Sequence, residues 1–92
     1  MDIARVDILD TDKLERKHNV YPYELEEVLF SHPRIFFVEK GDVSAEDLYL
    51  ALGQNDDGRY LAIFFIYKRN RVALVVSARD MDSKERRRYG KK

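Results

Sequence analysis

The chain contains no cysteine, so it can form neither a disulfide bond nor a thiolate metal site. It also lacks a long apolar run, since the longest, residues 60–67, is far too short to span a bilayer. The first ten residues hold three aspartates and an arginine, which are incompatible with a secretory signal peptide. These absences predict a cytoplasmic protein that makes no contact with a membrane.

The composition is that of a small folded domain. Hydrophobic residues make up 45% of the 92, and eleven residues are Phe or Tyr, which argues against a disordered chain. The charged fraction of 37% fits a domain with a large ratio of surface to volume. We therefore expect a single domain over residues 1–92.

The net charge of zero hides an uneven distribution. Residues 68–92 carry ten Lys or Arg against three acids, whereas residues 1–67 carry seven against fourteen. A cationic end of this kind indicates a surface for a polyanion or an acidic partner. The alternative is a basic terminus that only keeps the chain in solution.

The first third of the chain predicts a short strand and two helices. Residues 3–9 alternate as in a strand, and residues 10–18 begin with Asp and Thr, which are good helix caps. Pro22 fits the first position of a second helix, and Pro33 ends it. Three side chains share the helix face that should pack on a sheet: Leu25, Val28 and Leu29.

The remainder changes to period two and predicts strands. They cover residues 35–39, 48–54, 60–68 and 72–78, with a loop over 40–47. Four rings in these strands are interpreted as core: Phe36, Phe37, Phe64 and Phe65. The fold class is therefore α+β, with an antiparallel sheet of about four strands, two N-terminal helices and a short basic C-terminal helix.

The C-terminal helix has no apolar stripe to dock it. Asp82 and Glu85 have the spacing of a capping box, and Gly90 ends the helix. At about eight residues it is shorter than the roughly 12–15 that an isolated helix needs. Lys84, Arg87 and Arg88 share one face by their spacing, which favours a surface for a polyanion or a protein partner.

Four segments resemble the BrnT family: KHNV at 17–20, YLALG at 49–53, DDGRYL at 56–61 and SARDMDSKERRRY at 77–89. The last of these is the specific one. BrnT proteins are toxins of bacterial type II toxin–antitoxin systems with a RelE-like ribonuclease fold. The resemblance implies an endoribonuclease that acts on RNA and is neutralised by a BrnA-type antitoxin, with DNA bound only through that antitoxin.

Three features depart from the family pattern. The family's early Trp is missing, the helix between Asp10 and His18 is about a turn shorter, and Asn19 replaces a Gly. Asn tolerates a left-handed backbone, so we expect the turn at Asn19 to be preserved. The missing Trp favours an alternative function, a catalytically inactive module that binds RNA or an antitoxin-like partner. A third possibility is an RNA-binding domain that positions other factors.

Metal-independent cleavage of RNA requires a general base, a general acid and cations that stabilise the phosphorane. The candidate catalytic residues are Arg79, which can grip a phosphate bidentately, and His18 with Lys17. The structural alternatives are an ion pair of Arg79 with Asp10 or Asp80, and a His18 that caps a helix or packs on the sheet. No residue spacing is typical of metal ligands, so we expect no metal and no other cofactor.

A second group of residues is expected to bind RNA or the antitoxin without taking part in the chemistry. Its members are Arg71, Lys84, Arg86, Arg87, Arg88 and Tyr89. Tyr89 can stack on a base, or it can anchor the last helix to the core together with Met81. Arg71 lies at a hairpin tip and extends the surface only if that tip is on the same side as Arg79.

Overall fold

A computed structural model of the chain describes residues 1–42 and 46–91. Its elements are β1 (Arg5–Ile8), α1 (Thr11–His18), α2 (Pro22–Leu29), β2 (Arg34–Glu39), β3 (Leu48–Gln54), β4 (Tyr60–Lys68), β5 (Val72–Asp80) and α3 (Ser83–Gly90). The order agrees with the prediction, and the bounds of β3 and β4 coincide with it. Residues 43–45 of the predicted loop, and Lys92, lie outside the described residues.

The sheet corrects the prediction of about four antiparallel strands. The described residues form one mixed sheet of five strands in the order β1-β5-β4-β3-β2. The pairs from β2 to β5 are antiparallel, but β1 runs parallel to β5, with Arg5 opposite Val72. A parallel pair needs a long crossover connection, and here the whole segment from α1 to β4 supplies it.

The main core lies between the sheet and the pair α1 and α2. Leu14 and Val20, from α1 and the turn after it, pack with the three predicted residues of α2 against Leu61, Ile63 and Phe65 of β4. Gly53 of β3 allows α2 to come close, because a Cβ at this position would lie 2.8 Å from Cγ1 of Val28. The apolar face predicted for α2 is therefore confirmed.

The opposite face of the sheet carries a smaller core under α3. Leu50, Leu52 and Ala62 are buried there together with Met81. The phenylalanines predicted as core divide between environments: Phe65 is fully buried, Phe36 and Phe64 are half-buried, and Phe37 is 58% exposed. The interpretation of Phe37 as core is wrong, because edge strand β2 has a neighbour on one side only.

The helix ends follow the predicted capping. Oδ1 of Asp10 accepts a hydrogen bond from the backbone N–H of Lys13 at the start of α1. Asn19 ends α1 with φ 54° and ψ 39°, the left-handed conformation expected of it. At α3, Asp82 accepts from the N–H of Glu85 over 2.8 Å and Glu85 accepts from the N–H of Asp82 over 2.9 Å. The capping box is therefore confirmed.

Candidate active site

Arg79 lies at the end of β5 on the α3 side of the sheet. Its Nη1 and Nη2 donate to the two carboxylate oxygens of Glu85 over 2.6 and 2.8 Å. Nη1 also donates to the carbonyl of Asp80 over 3.2 Å, and the guanidinium carbon lies 5.5 Å from the ring centroid of Phe64. The hydrogen bonds to Glu85 raise the pKa of Arg79, so the group remains a cation. As the alternative to a catalytic role, an ion pair of Arg79 with Asp10 or Asp80 was considered from the sequence. The ion pair exists, but its partner is Glu85.

The support of Arg79 is rigid on both sides. Its backbone pairs with Ala62 in the centre of the sheet, and Glu85 is fixed by its capping hydrogen bond to Asp82. The side chain of Glu85 is only 13% exposed, whereas that of Arg79 is 37% exposed. A fixed, partly exposed guanidinium of this kind can bind a phosphate in one orientation.

Two of the basic side chains of α3 are held by aromatic rings of the sheet. The guanidinium carbon of Arg86 is 3.9 Å from the ring centroid of Tyr60, and that of Arg88 is 3.6 Å from the ring centroid of Phe36. A cation over an aromatic face is attracted by the ring quadrupole, which restricts the motion of these long side chains. Exposed cations on this helix are Lys84, Arg86, Arg87 and Arg88.

Tyr89 anchors α3 to the sheet. It is half-buried, and its ring packs edge-on against Tyr60 with 6.0 Å between centroids. Met81 is buried at the other end of the helix. The anchoring role proposed for these two residues is what the packing supports, and it explains how a helix without an apolar stripe is held.

Arg34 binds the C-terminal end of α3, a role that the sequence did not predict. Its Nη1 donates to the carbonyls of Arg88, over 2.9 Å, and Tyr89, over 3.3 Å, and to that of Lys91. A cation at the carbonyl end of a helix offsets the unsatisfied acceptors and the negative end of the dipole. Since these partners are more than fifty residues away in sequence, no local sequence pattern predicts the contact.

Lys17 and His18 form the last turn of α1. Lys17 is exposed and His18 is half-buried. The carbonyl of His18 and Oδ2 of Asp80 both accept from Nη2 of Arg59, over 3.1 and 3.3 Å, so His18 lies near the end of β5. Because successive side chains of a strand point to opposite faces, this neighbourhood is on the other side of the sheet from Arg79. The structure therefore brings His18 and Arg79 to the same end of β5 but to opposite faces.

Arg59 is the second residue that sequence reasoning missed. Its Nε donates to Oδ1 of Asp80 over 2.7 Å, and Nη1 lies 3.1 Å from Oε2 of Glu24. Nη2 and Nη1 also donate to the carbonyls of His18 and Asn19, over 3.1 and 2.7 Å. Hydrogen bonding to Asp80 raises the pKa of Arg59 and lowers that of Asp80. Arg59 thus joins the end of α1, the start of α2 and the end of β5.

The buried carboxylate of Glu24 requires the positive charge of Arg59. This carboxylate is only 4% exposed, and it also accepts a hydrogen bond from Nδ2 of Asn55 over 2.8 Å. A buried carboxylate requires a cation and hydrogen-bond donors. The signal in the sequence is an acid in the first turn of α2, a position that the helix dipole alone also favours.

Arg71 lies apart from the other candidate binding residues. It is in the tight turn between β4 and β5, where it pairs with Asp2 over 2.5 Å. Arg79 is at the far end of β5, about 26 Å away at roughly 3.3 Å per residue. Arg71 is therefore outside the cluster around Arg79, and its part in binding RNA stays a prediction.

Within residues 1–42 and 46–91, no three His, Asp or Glu side chains are grouped as metal ligands. In the same residues, no helix is long and apolar enough to cross a membrane.

Comparison with known families identifies the chain. Residues 10–85 match the family described as ribonuclease toxin, BrnT, of type II toxin–antitoxin systems. The chain belongs to the BrnT family. Among curated proteins, none matches the chain. Membership of this family implies an RNA target and an antitoxin partner, and the BrnT match spans Lys17, His18, Arg59, Arg79 and Glu85.

Proposed function

We propose that the protein is a metal-independent endoribonuclease that acts in the cytoplasm and is neutralised by a BrnA-type antitoxin. The observation that carries this proposal is Arg79, a guanidinium held by Glu85 and Phe64 at the start of a cationic helix. A fixed cation matches the requirement of phosphoryl chemistry, in which charge develops on the phosphorane oxygens. The BrnT match supplies the substrate class.

The reaction requires attack of a ribose 2′-oxygen on the adjacent phosphorus and departure of the 5′-oxygen. A base takes the 2′-hydroxyl proton, an acid protonates the leaving 5′-oxygen, and a 2′,3′-cyclic phosphate results. In the proposal, Arg79 stabilises the phosphorane and His18, with Lys17, moves a proton. A group that moves a proton must lie within hydrogen-bond reach of the reacting atoms, so His18 and Arg79 serve one reaction only if the end of β5 lets the same phosphate contact both.

The antitoxin is proposed to cover α3. Its four cations, Lys84, Arg86, Arg87 and Arg88, are exposed. An acidic antitoxin segment would compete with RNA for these charges, and electrostatic complementarity would speed its association. Binding of antitoxin and RNA should then be mutually exclusive, and operator DNA should bind only when the antitoxin is present.

A second function, a binding module without catalysis, is favoured by one observation. Three of the five N–H donors of Arg79 are already engaged by Glu85 and Asp80. If this engagement excludes a phosphate, the protein would bind RNA through α3 without cleaving it.

The deciding experiment is incubation of the purified chain with mixed-sequence single-stranded RNA in EDTA. Arg79→Ala is the test variant and Arg71→Ala is the control, since it removes the same side chain at the far end of β5. We expect cleavage by the parent and by Arg71→Ala, and none by Arg79→Ala. RNA binding without cleavage by the parent would favour the binding module, whereas cleavage that requires added Mg²⁺ would contradict metal independence.

A further inference from the structure

The guanidinium of Arg79 has five N–H donors, and the structure shows which of them are used. Nη1 donates to Glu85 and to the carbonyl of Asp80, and Nη2 donates to Glu85. Within residues 1–42 and 46–91, Nε–H and the second N–H of Nη2 have no hydrogen-bond partner. These two donors lie side by side on one edge of the guanidinium, which is the geometry that grips two oxygens of a phosphate.

The side chain of Arg79 is partly open to solvent. It is 37% exposed, whereas that of its partner Glu85 is 13% exposed. A phosphate can therefore bind through Nε and Nη2 while the ion pair stays in place.

Displacing Glu85 would be unfavourable. Its Oε1 also accepts from the N–H of Asp82, and α3 is held at its ends by Met81 and Tyr89. Removing the carboxylate would break two charge-assisted hydrogen bonds to Arg79 and the capping box at once. Binding at the side edge requires none of these changes.

We propose that Glu85 is a positioning residue, which fixes the guanidinium of Arg79 so that its Nε–Nη2 edge faces an RNA phosphate. Glu85 does not touch the substrate and takes no proton in the reaction. This inference rests on the proposed function, since it takes RNA phosphate as the ligand of Arg79. It assigns to α3 a structural part in the active site in addition to its basic surface.

The test compares Glu85→Gln with Asp82→Ala. Each variant removes one negative charge from the same capping box, but only Glu85 contacts Arg79. For Glu85→Gln we expect kcat to fall about 10- to 100-fold, because a misdirected group loses transition-state contacts. Its Kd for 2′-O-methyl RNA, which cannot be cleaved, should change less than about 3-fold, and the pH–rate profile should keep its shape. Asp82→Ala keeps the backbone N–H that donates to Glu85, so it should keep kcat within about 3-fold of the parent.

Three results would overturn the positioning role. Faster cleavage by Glu85→Gln would show that Glu85 keeps Arg79 from binding the phosphate. An equal loss of kcat in Asp82→Ala would show that Glu85 acts only by stabilising the start of α3. Loss of one limb of the pH–rate profile in Glu85→Gln would make it a general base.

A second measurement separates this inference from the proposed ribonuclease activity. The Nε–H resonance of Arg79 is followed by NMR while 2′-O-methyl RNA is added, and no cleavage is needed. We expect the resonance to shift in the parent and in Asp82→Ala, and to stay unshifted in Glu85→Gln. An unshifted resonance in the parent, or an equal shift in Glu85→Gln, would refute the inference even if the parent cleaves RNA. Failure of cleavage with the expected shifts would refute only the proposed activity.

Discussion

Arg79 and Asp80, which are neighbours at the end of β5, form ion pairs on opposite faces of the sheet. Arg79 pairs with Glu85 of α3, and Asp80 pairs with Arg59, which also binds the end of α1. The alternation of side chains along a strand produces this division. One dipeptide therefore connects the cationic helix to the opposite layer of the domain.

Loss of Arg59 should destabilise the protein strongly. Arg59→Ala leaves the carboxylate of Glu24, with a side chain 5% exposed, without its cation. Removing one partner of a buried pair costs about 3–5 kcal/mol, and the partial exposure of Arg59 places the expected loss at about 2–4 kcal/mol. The measurement is urea denaturation, with the free energy of unfolding extrapolated to water.

The matched control for Arg59 is Arg5→Ala. Arg5 pairs with Asp7 over 3.1 Å, but these side chains are 67% and 45% exposed. Exposed pairs contribute about 0–1 kcal/mol, so this variant should stay close to the parent. Similar losses for the two variants would contradict the assignment of Arg59 as the cation of a buried network.

Stability should decrease in acid through Asp80. Hydrogen bonds from Arg59 lower the pKa of Asp80 below its ordinary 3.8. A carboxyl group with a lowered folded-state pKa stabilises the fold above its unfolded-state pKa, and this contribution is lost as pH falls through the folded-state value. The difference in unfolding free energy between the parent and Asp80→Asn should therefore be largest above about pH 5 and shrink below about pH 4.

The Asp80 prediction has an internal control. In an Arg59→Gln background, Asp80→Asn should change stability by an amount that varies little with pH, because the cation that lowers the pKa is gone. Since the side chain of Asp80 is 67% exposed, the expected effect in the parent is at most about 1 kcal/mol. A difference that stays constant from pH 6 to pH 3 would show that Asp80 is not linked to folding through Arg59.

Local features of the fold could be predicted from the sequence, and features that depend on distant contacts could not. The spacing of Asp82 and Glu85 predicted their capping box because both partners lie within one helical turn. The parallel pairing of β1 with β5 was missed because no local pattern selects a strand's partner across sixty residues. The same holds for the candidate site. Arg79 could be predicted from its position between a strand and the last helix, whereas its partner Glu85 could not.

Arg59 shows why the network around Asp80 escaped sequence reasoning. The residue follows an Asp-Gly turn, where an arginine is ordinarily solvated, and its side-chain acceptors come from three separate segments: the end of α1, the start of α2 and the end of β5. Its importance arises from the burial of Glu24, which composition and periodicity do not reveal. A single acid near the start of a helix has the same sequence pattern whether it is exposed or buried.

His18 should be tested by the pH dependence of the reaction. If its imidazole moves a proton, His18→Ala should lose one limb of the pH–rate profile for kcat, because the group that gives or takes the proton has been removed. Lys17→Ala should lower the rate without changing the shape of the profile. An unchanged profile for His18→Ala would remove it from the mechanism and leave its carbonyl contact with Arg59 as its described role.

RNA affinity should depend on α3 and not on the β4–β5 turn. Each phosphate contact to a single strand contributes about −0.7 to the slope of log affinity against log salt, so Arg87→Ala should reduce the slope by about that amount. Arg88→Ala should reduce affinity further than Arg87→Ala, because the ring of Phe36 holds Arg88 in place and less side-chain entropy is lost on binding. Arg71→Ala should leave the slope unchanged, since its guanidinium pairs with Asp2 at the far end of the sheet. A reduced slope for Arg71→Ala would place RNA along the whole length of β5 and would require a binding surface larger than α3.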